Sequence, residues 1–470
     1  MCYMILAGKK ACEGSAIFAG HNNDLQGNQG SLYELLPEGR EEQKISLPSG
    51  ASIVLPPNTL ACLILKTWRG YMEGDAVAIN QDLVAIAGGV DLGVDRNRQA
   101  ELADPLISDG VSGAVRYIAL EQAHTARECV QLIGNYYNQY GISYPSGVGV
   151  VDANEAWYME AGGGSCWAAV RVPDECYMVQ ANGFRIGEVD PDDKEHFLCS
   201  PDLLKFAEQK KLWSPKEGPF NFSVAFGGKM LRQAHTMRFN PRRVWGCMRH
   251  LNPSLHLDPQ AERHPLFLEP ERKISVSVLK ALLRDQFDDT EYQAFPKSGG
   301  YGADRPVCVP SCVHSAIIEL NSHLPVGAGG IIWGSLASPS TSPYVPCYLG
   351  VQDLPEEFKV SSPTYDAGSA FWHFRSLSNL SMVNPQELVP VIQAQWKLFE
   401  DRIQREHFDL LKKIEPLQQD NGHERLRMLS SSTQNFFDES LVKCKEIEGF
   451  LQTEIAKDIH RIFSVSELSW

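Results

Sequence analysis

Cys2-Tyr3-Met4-Ile5-Leu6-Ala7-Gly8-Lys9-Lys10 is the stretch on which the reading of this chain turns. Tyr3 to Ala7 is an apolar run of strand length, and a glycine and two lysines stop it. An export signal would place its basic residues first and end on a small-residue cleavage site, so this order argues for a cytoplasmic chain. A small side chain at position 2 permits removal of Met1. Cys2 then carries a nucleophilic thiol and a free α-amine on one residue, so nucleophile and base come together. The ordinary pKa of such an amine is about 7.7 to 8.0 and that of a thiol about 8.5, so proton transfer between them near neutrality costs little. A cysteine that merely survives methionine removal fits the same residue; the surrounding sequence decides.

Working outward, Ala16 to Ala19, Ile53 to Leu55, Leu60 to Lys66 and Leu83 to Ala87 continue as short strands punctuated by glycine and asparagine. The period then changes. Thr125 and Glu128 form a capping-box pattern, and Cys129, Ile133, Tyr136 and Tyr137 fall on one helical face before Gly141. Residues 147 to 190 return to strand-length runs separated by turns, the pattern of an antiparallel meander. From 200 to 300 the mixed segments around Arg242, His250 and Pro253 show no dominant period. Strands return at Val307 to Leu320 and at Ile331 to Gly334. Asn384-Pro385-Gln386-Glu387 then opens a helix with Val389, Ile392, Trp396, Phe399 and Ile403 on one stripe. A second helix is expected from about Thr433 to Ile459, burying Phe437, Leu441, Cys444, Leu451 and Ile455.

The chain has 470 residues, 43% of them hydrophobic, which supplies a large core and excludes a mostly disordered protein. With 58 acidic against 43 basic residues, the net charge of −15 argues against a nucleic-acid or anionic-membrane partner. Twelve cysteines are too dilute for a disulfide scaffold, and most read as free thiols. No apolar run approaches the roughly 18 residues that span a bilayer. Dinucleotide, P-loop, zinc-protease and serine-elbow motifs are absent. Cys308, Cys312 and His314 lie close together, but Val307, Val309 and Val313 between them read as strand and a fourth ligand is missing, so no metal or other cofactor is expected.

The opening motif, the Gly14-Ser15 turn and Gly20-His21-Asn22-Asn23-Asp24 resemble the start of the cysteine dipeptidases of the N-terminal-nucleophile (Ntn) hydrolases, the branch related to secernins. Asn154-Glu155-Ala156-Trp157-Tyr158-Met159-Glu160, then Trp167 to Asp174, then Ala181-Asn182-Gly183-Phe184-Arg185-Ile186 resemble that family's central strands in the same order. Trp333-Gly334 and Ser342 to Tyr348 extend the likeness.

The resemblance implies an α+β fold, a four-layer αββα sandwich of mostly antiparallel sheets with Cys2 at the start of a central strand. With the C-terminal helices read from their own apolar stripes, the chain divides into a hydrolase domain over 2–380 and a helical segment over 381–470, packed on the body or at a homo-oligomer interface. The resemblance also implies hydrolysis of dipeptides through an acyl-enzyme on Cys2. The negative oxygen formed on attack needs preorganised donors, each worth about 3 kcal/mol, and Asn182 stands where related amidases keep such a donor. A strand-end turn is the plain reading of that asparagine. Asp24 stands beside the nucleophile in the same family; as an acceptor it can orient the ammonium or thiol, and a turn or cap is its other reading.

His21 departs from the wider superfamily, where acylases commonly carry arginine. A histidine lends positive charge only when protonated, and a structural role reads equally well. Arg305 offers a planar fork for a substrate carboxylate or, alternatively, a surface ion pair. Two other functions remain open: an amide hydrolase of the penicillin or bile-acid acylase type, and a secernin-like interaction protein with little catalysis.

Overall fold

A computed structural model describes residues 2–69, 76–227, 240–295, 302, 304–417 and 422–464. Two antiparallel sheets dominate it. The seven-stranded sheet runs, in spatial order, Phe267–Leu268, Tyr177–Gln180, Tyr3–Ala7 (β1), Ile17–Asp24 (β2), Cys312–Leu320, Gly330–Leu336 and Val345–Tyr348. The eight-stranded sheet runs Phe197–Cys199, Trp167–Arg171, Ala156–Ala161, Ser146–Val151, Ala85–Asp91, Ala76–Asn80, Cys62–Thr67 and Ser31–Leu36.

The sheets pack face to face, and helices cover both outer faces. The pleat divides the apolar residues between these layers. Leu63, Leu65, Val77 and Ile79 join the core between the sheets, while Ile64, Ala76 and Ala78 face the helices Ala114–Leu120 and Ala126–Tyr140. Both faces of β1 are covered, so its side chains are all buried and its sequence shows no polar alternation. The fold is α+β with the four-layer αββα order that the resemblance implied.

On the outer face of the seven-stranded sheet lie Val276–Leu283, Ala370–Ser381, Pro385–Ile414 and Gly422–Ser464. Trp396, Phe399, Ile403, Phe437, Leu441, Cys444 and Leu451 join the same core as β1. Among the described residues no helix is long and apolar enough to cross a membrane.

Several boundaries depart from the sequence reading. The run from Val307 becomes a strand only at Cys312, because Pro306 and Pro310 cannot donate to a ladder. The meander keeps only three strands together: Tyr177–Gln180 leaves the eight-stranded sheet to pair with β1. The final helix starts at Gly422, earlier than Thr433. Asn384 makes no side-chain cap bond although the helix starts at Pro385 as expected. The region without a readable period holds the helix Pro241–Leu251, in which Arg242, Arg243, Val244, Trp245, Cys247 and Met248 are all buried. Val244, Cys247, Met248 and Leu251 do recur at helical spacing, but Arg242 and Arg243 are buried with them, so polar side chains lie where a pattern reading places solvent.

Candidate active site

Two ladder registers fix the surroundings of Cys2. Met4 lies opposite Gln180 in one ladder and opposite His21 in the other, and Tyr3 lies opposite Asn22. Carrying each antiparallel register to the end of β1 sets Cys2 between Asn182 and Asn23. The bond pattern agrees: the Cys2 thiol donates to Asn23 Oδ1 at 3.4 Å. Residues two apart on a strand share a face, so Cys2 looks the same way as Met4 and Leu6, whose side chains meet Gly149 of the opposite sheet. The thiol therefore faces the space between the sheets.

Asn182 is immobilised from three directions. Its backbone N–H donates to Asn240 Oδ1 at 2.9 Å, and Asn240 Nδ2 returns a bond to the Asn182 carbonyl at 2.7 Å. Arg243 Nη2 donates to Asn182 Oδ1 at 2.7 Å. Asn182 Nδ2 donates to the Asp91 carbonyl at 2.9 Å, which leaves its second N–H for another acceptor. Arg243 Nη1 also donates to the Cys2 carbonyl at 3.1 Å, so one guanidinium joins Cys2 and Asn182. Burial lowers the Arg243 pKa to about 10, which leaves it charged at neutrality.

The turn that carries Asn182 is held by a buried carboxyl. Glu160 Oε1 accepts from the Arg185 N–H at 2.7 Å and Oε2 from the Ile186 N–H at 3.2 Å. Burial raises the Glu160 pKa to about 8 against the opposing pull of these N–H donors.

His21 is buried, and its Nε2 lies 3.2 Å from the Gly89 carbonyl. Burial first, and then repulsion from Arg116, lowers its pKa to about 4 although the Gly89 carbonyl pulls the other way. The ring is neutral at physiological pH and brings no positive charge to the thiol, which favours the structural reading. The backbone makes room for it: Gly88 has φ +87°, and a Cβ there would sit 2.6 Å from the ring.

Asp24 forms an ion pair with Arg305 and accepts from Ser311 Oγ at 2.7 Å. A register shift in the neighbouring strand, between Cys312 and His314, lies at this point of the ladder. Asn22 Nδ2 donates to the carbonyls of Leu283 at 2.9 Å and Val307 at 3.0 Å, anchoring the segment that brings Arg305 to β2. The three residues with metal-like spacing go separate ways. Cys308 contacts Ser338 Oγ, Cys312 donates to the His314 carbonyl, and His314 lies between Ser31 and Asn23. Among the described residues no three metal-binding side chains cluster.

A cleft of about 670 Å³ opens over Cys2. Gly89, Val90 and Asp91 line it from the opposite sheet, Ser112 to Ala114 and Arg116 from one wall, and Leu47 to Ser49 with Arg69 from another. The structure thus assembles Cys2, Asn182 and His21 around the end of β1 and sets Asp24 with Arg305 at the end of β2. Sequence reasoning missed Asn23, Arg243, Asn240 and Glu160. Asn23 was within reach, since a hairpin register alone puts it opposite Cys2. Arg243 lies 241 positions from Cys2 and gave no local signal.

A model of Peptidase family C69 matches residues 1–397. A probable dipeptidase from Salmonella dublin is 33% identical over 54% of this chain, and the match spans 59% of that protein. A probable dipeptidase from Latilactobacillus sakei is 26% identical over 80% of each chain. Among solved structures, a mutant conjugated bile acid hydrolase from Clostridium perfringens aligns at 9% identity over 72% of this chain and 89% of that one, with a TM-score of 0.34.

Proposed function

The chain belongs to Peptidase family C69, and from that premise we propose that it is a cysteine-dependent dipeptidase whose nucleophile is Cys2, made N-terminal by removal of Met1. The observation that carries this reading is the position of the thiol: it opens on the cleft, bonded to Asn23, with the anchored Asn182 beside it.

The α-amine of Cys2 takes the thiol proton, and the thiolate attacks the scissile carbonyl. The resulting oxyanion accepts the second Nδ2–H of Asn182, a donor that Arg243 and Asn240 have already oriented and whose alignment costs nothing at the moment of reaction. Collapse breaks the C–N bond, and the ammonium of Cys2 returns its proton to the departing amine. Water, deprotonated by the same amine, then hydrolyses the thioester. Asp24, paired with Arg305 and bonded to Ser311, braces the end of β2 beside Asn23, the residue that holds the thiol. The twelve unbridged cysteines suit a reducing, cytoplasmic setting for this chemistry.

Intact-mass and N-terminal analysis of purified protein, combined with assays on dipeptides and on acyl-amino-acid amides, tests the reading. Active protein should begin at an unblocked Cys2 and prefer dipeptides. The Cys2→Ala variant should fall to background turnover with little change in folding stability, because one terminal thiol is a small part of a core this size. Full activity in protein that retains Met1 would defeat the mechanism, and preference for acyl amides would defeat the substrate class.

A further inference from the structure

Arg116 stands on the wall of the cleft, in the fully buried helix Ala114–Leu120. The residue is 4% exposed. Of its five N–H donors, the described residues account for one bond, from Nη2 to Ser146 Oγ at 2.6 Å. Its Nε is buried without a hydrogen-bond partner, and no carboxylate among the described residues pairs with it. Other buried arginines are spent on protein acceptors. Arg243 binds the Cys2 carbonyl and Asn182, Arg284 pairs with Glu400, and Arg375 binds the carbonyls of Pro310 and Cys312.

A guanidinium this far buried, with no anion beside it and an edge open on the cleft, is costly until an anion from the cleft pairs with it. The local backbone is built to hold it. A Cβ on Gly89 would overlap Arg116 Nη1, so the guanidinium occupies the space that a side chain at this position would take. The same Gly89 contacts His21 through its carbonyl, which ties Arg116 to the residue opposite Met4 in the β1–β2 ladder. Arg69 also lines the cleft, but it is exposed, and a solvated cation selects weakly.

We infer that Arg116 is the residue that binds the C-terminal carboxylate of the substrate, which restricts the cleft to peptides with one residue beyond the scissile bond. This rests on the dipeptidase reading above and names its recognition element. In a dipeptide the carboxylate carbon is only three bonds from the carbonyl carbon under attack, so thiol and anion site must share one compact cleft, as Cys2 and Arg116 do. A longer peptide would have to bring an uncharged amide against the buried guanidinium. Arg305, the sequence candidate for this task, is engaged with Asp24.

Alanyl-alanine and alanyl-alanine amide, assayed with wild type, Arg116→Gln and Arg116→Lys, test the inference. Wild type should favour the free acid in kcat/KM by about 100-fold or more, as for loss of one partner of a buried charged pair. Arg116→Gln should bring that preference to within a few-fold by losing rate on the acid alone, and Arg116→Lys should fall between. A purely structural arginine would lower both rates together. Equal wild-type rates on acid and amide, or an undiminished preference in Arg116→Gln, would overturn the assignment while leaving the peptidase reading intact. Hydrolysis of neither compound would defeat the peptidase reading. Calorimetry on the Cys2→Ala protein, with the same two compounds as ligands, then decides the carboxylate site independently of turnover and of how Arg116→Gln folds: tighter binding of the acid supports it, and equal binding rejects it.

Discussion

Arg243 Nη1 donates to the carbonyl oxygen of Cys2 at 3.1 Å while Nη2 donates to Asn182 Oδ1 at 2.7 Å, so a single planar cation spaces the proposed nucleophile from the proposed oxyanion donor. Lysine keeps the charge but not the fork. The Arg243→Lys variant should fold, lose about 1 to 3 kcal/mol of stability through one unsatisfied buried acceptor, and lose far more in kcat than in KM. Denaturant titration and steady-state kinetics check both. Unchanged kcat would remove Arg243 from the site.

Asn182 offers its own test. Replacement by alanine should lower kcat by about 100- to 1,000-fold, the usual cost of one oxyanion donor. Asn182→Asp should be no better, because a carboxylate keeps an acceptor for Arg243 and supplies no donor to the oxyanion. Rates within a few-fold of wild type in either protein would count against the assignment.

Gly88 separates backbone strain from crowding. Alanine at φ +87° costs about 1 to 2 kcal/mol by itself, and its Cβ would also press on the His21 ring at 2.6 Å. Gly88→Ala should therefore destabilise by more than strain alone. In the His21→Ala background the same change should cost less, and the difference in a double-mutant cycle measures the contact. Strict additivity would show that ring and glycine do not meet.

Buried neutral histidines set the acid limit. Burial lowers the pKa of His21 and of His407 to about 4 and that of His314 to about 3. Each folded value lies below the ordinary value of about 6.5, so on acidification the unfolded chain takes up protons first. The stability concerned is complete above about pH 6.5 and is lost as pH falls toward 4, by up to about 3 kcal/mol for each group. Glu160, with its folded pKa raised to about 8, works in the opposite sense over the same range. The histidine contribution is therefore read from the difference between wild type and His407→Gln in unfolding free energy at pH 7.5, 6 and 5. His407→Gln, which lies far along the chain and touches Tyr348, should flatten the slope by about one proton. A pH slope that is the same in wild type and His407→Gln would refute the linkage.

How much of this was legible in the chain follows from how local each signal is. The apolar run of β1 and the capping box at Thr125 carry their own evidence, since Thr125 does accept from the Glu128 N–H and the helix ends at Gly141. Asn182 came from its place in an ordered series of family-like segments, and the ladder explains why that place matters: it is the partner of the residue before β1. The support beneath it was invisible for a physical reason. Arg243 and Glu160 act from enclosed positions, and a pattern reading assigns charged residues to the solvent side, so it passes them over. The segment from Val307 misled in the opposite sense, because β-branched residues spaced as in a strand lie in a proline-bounded loop.

The path of Tyr177–Gln180 has a consequence for how the molecule fails. Trp167–Arg171 belongs to one sheet and Tyr177–Gln180, a short turn later, to the other, so the same stretch of backbone stitches the two together immediately before Asn182. Any sliding of one sheet over its neighbour is transmitted to that asparagine. Turnover thus serves as a gauge of alignment along this seam, and warming should silence the enzyme before the outer helices unwind.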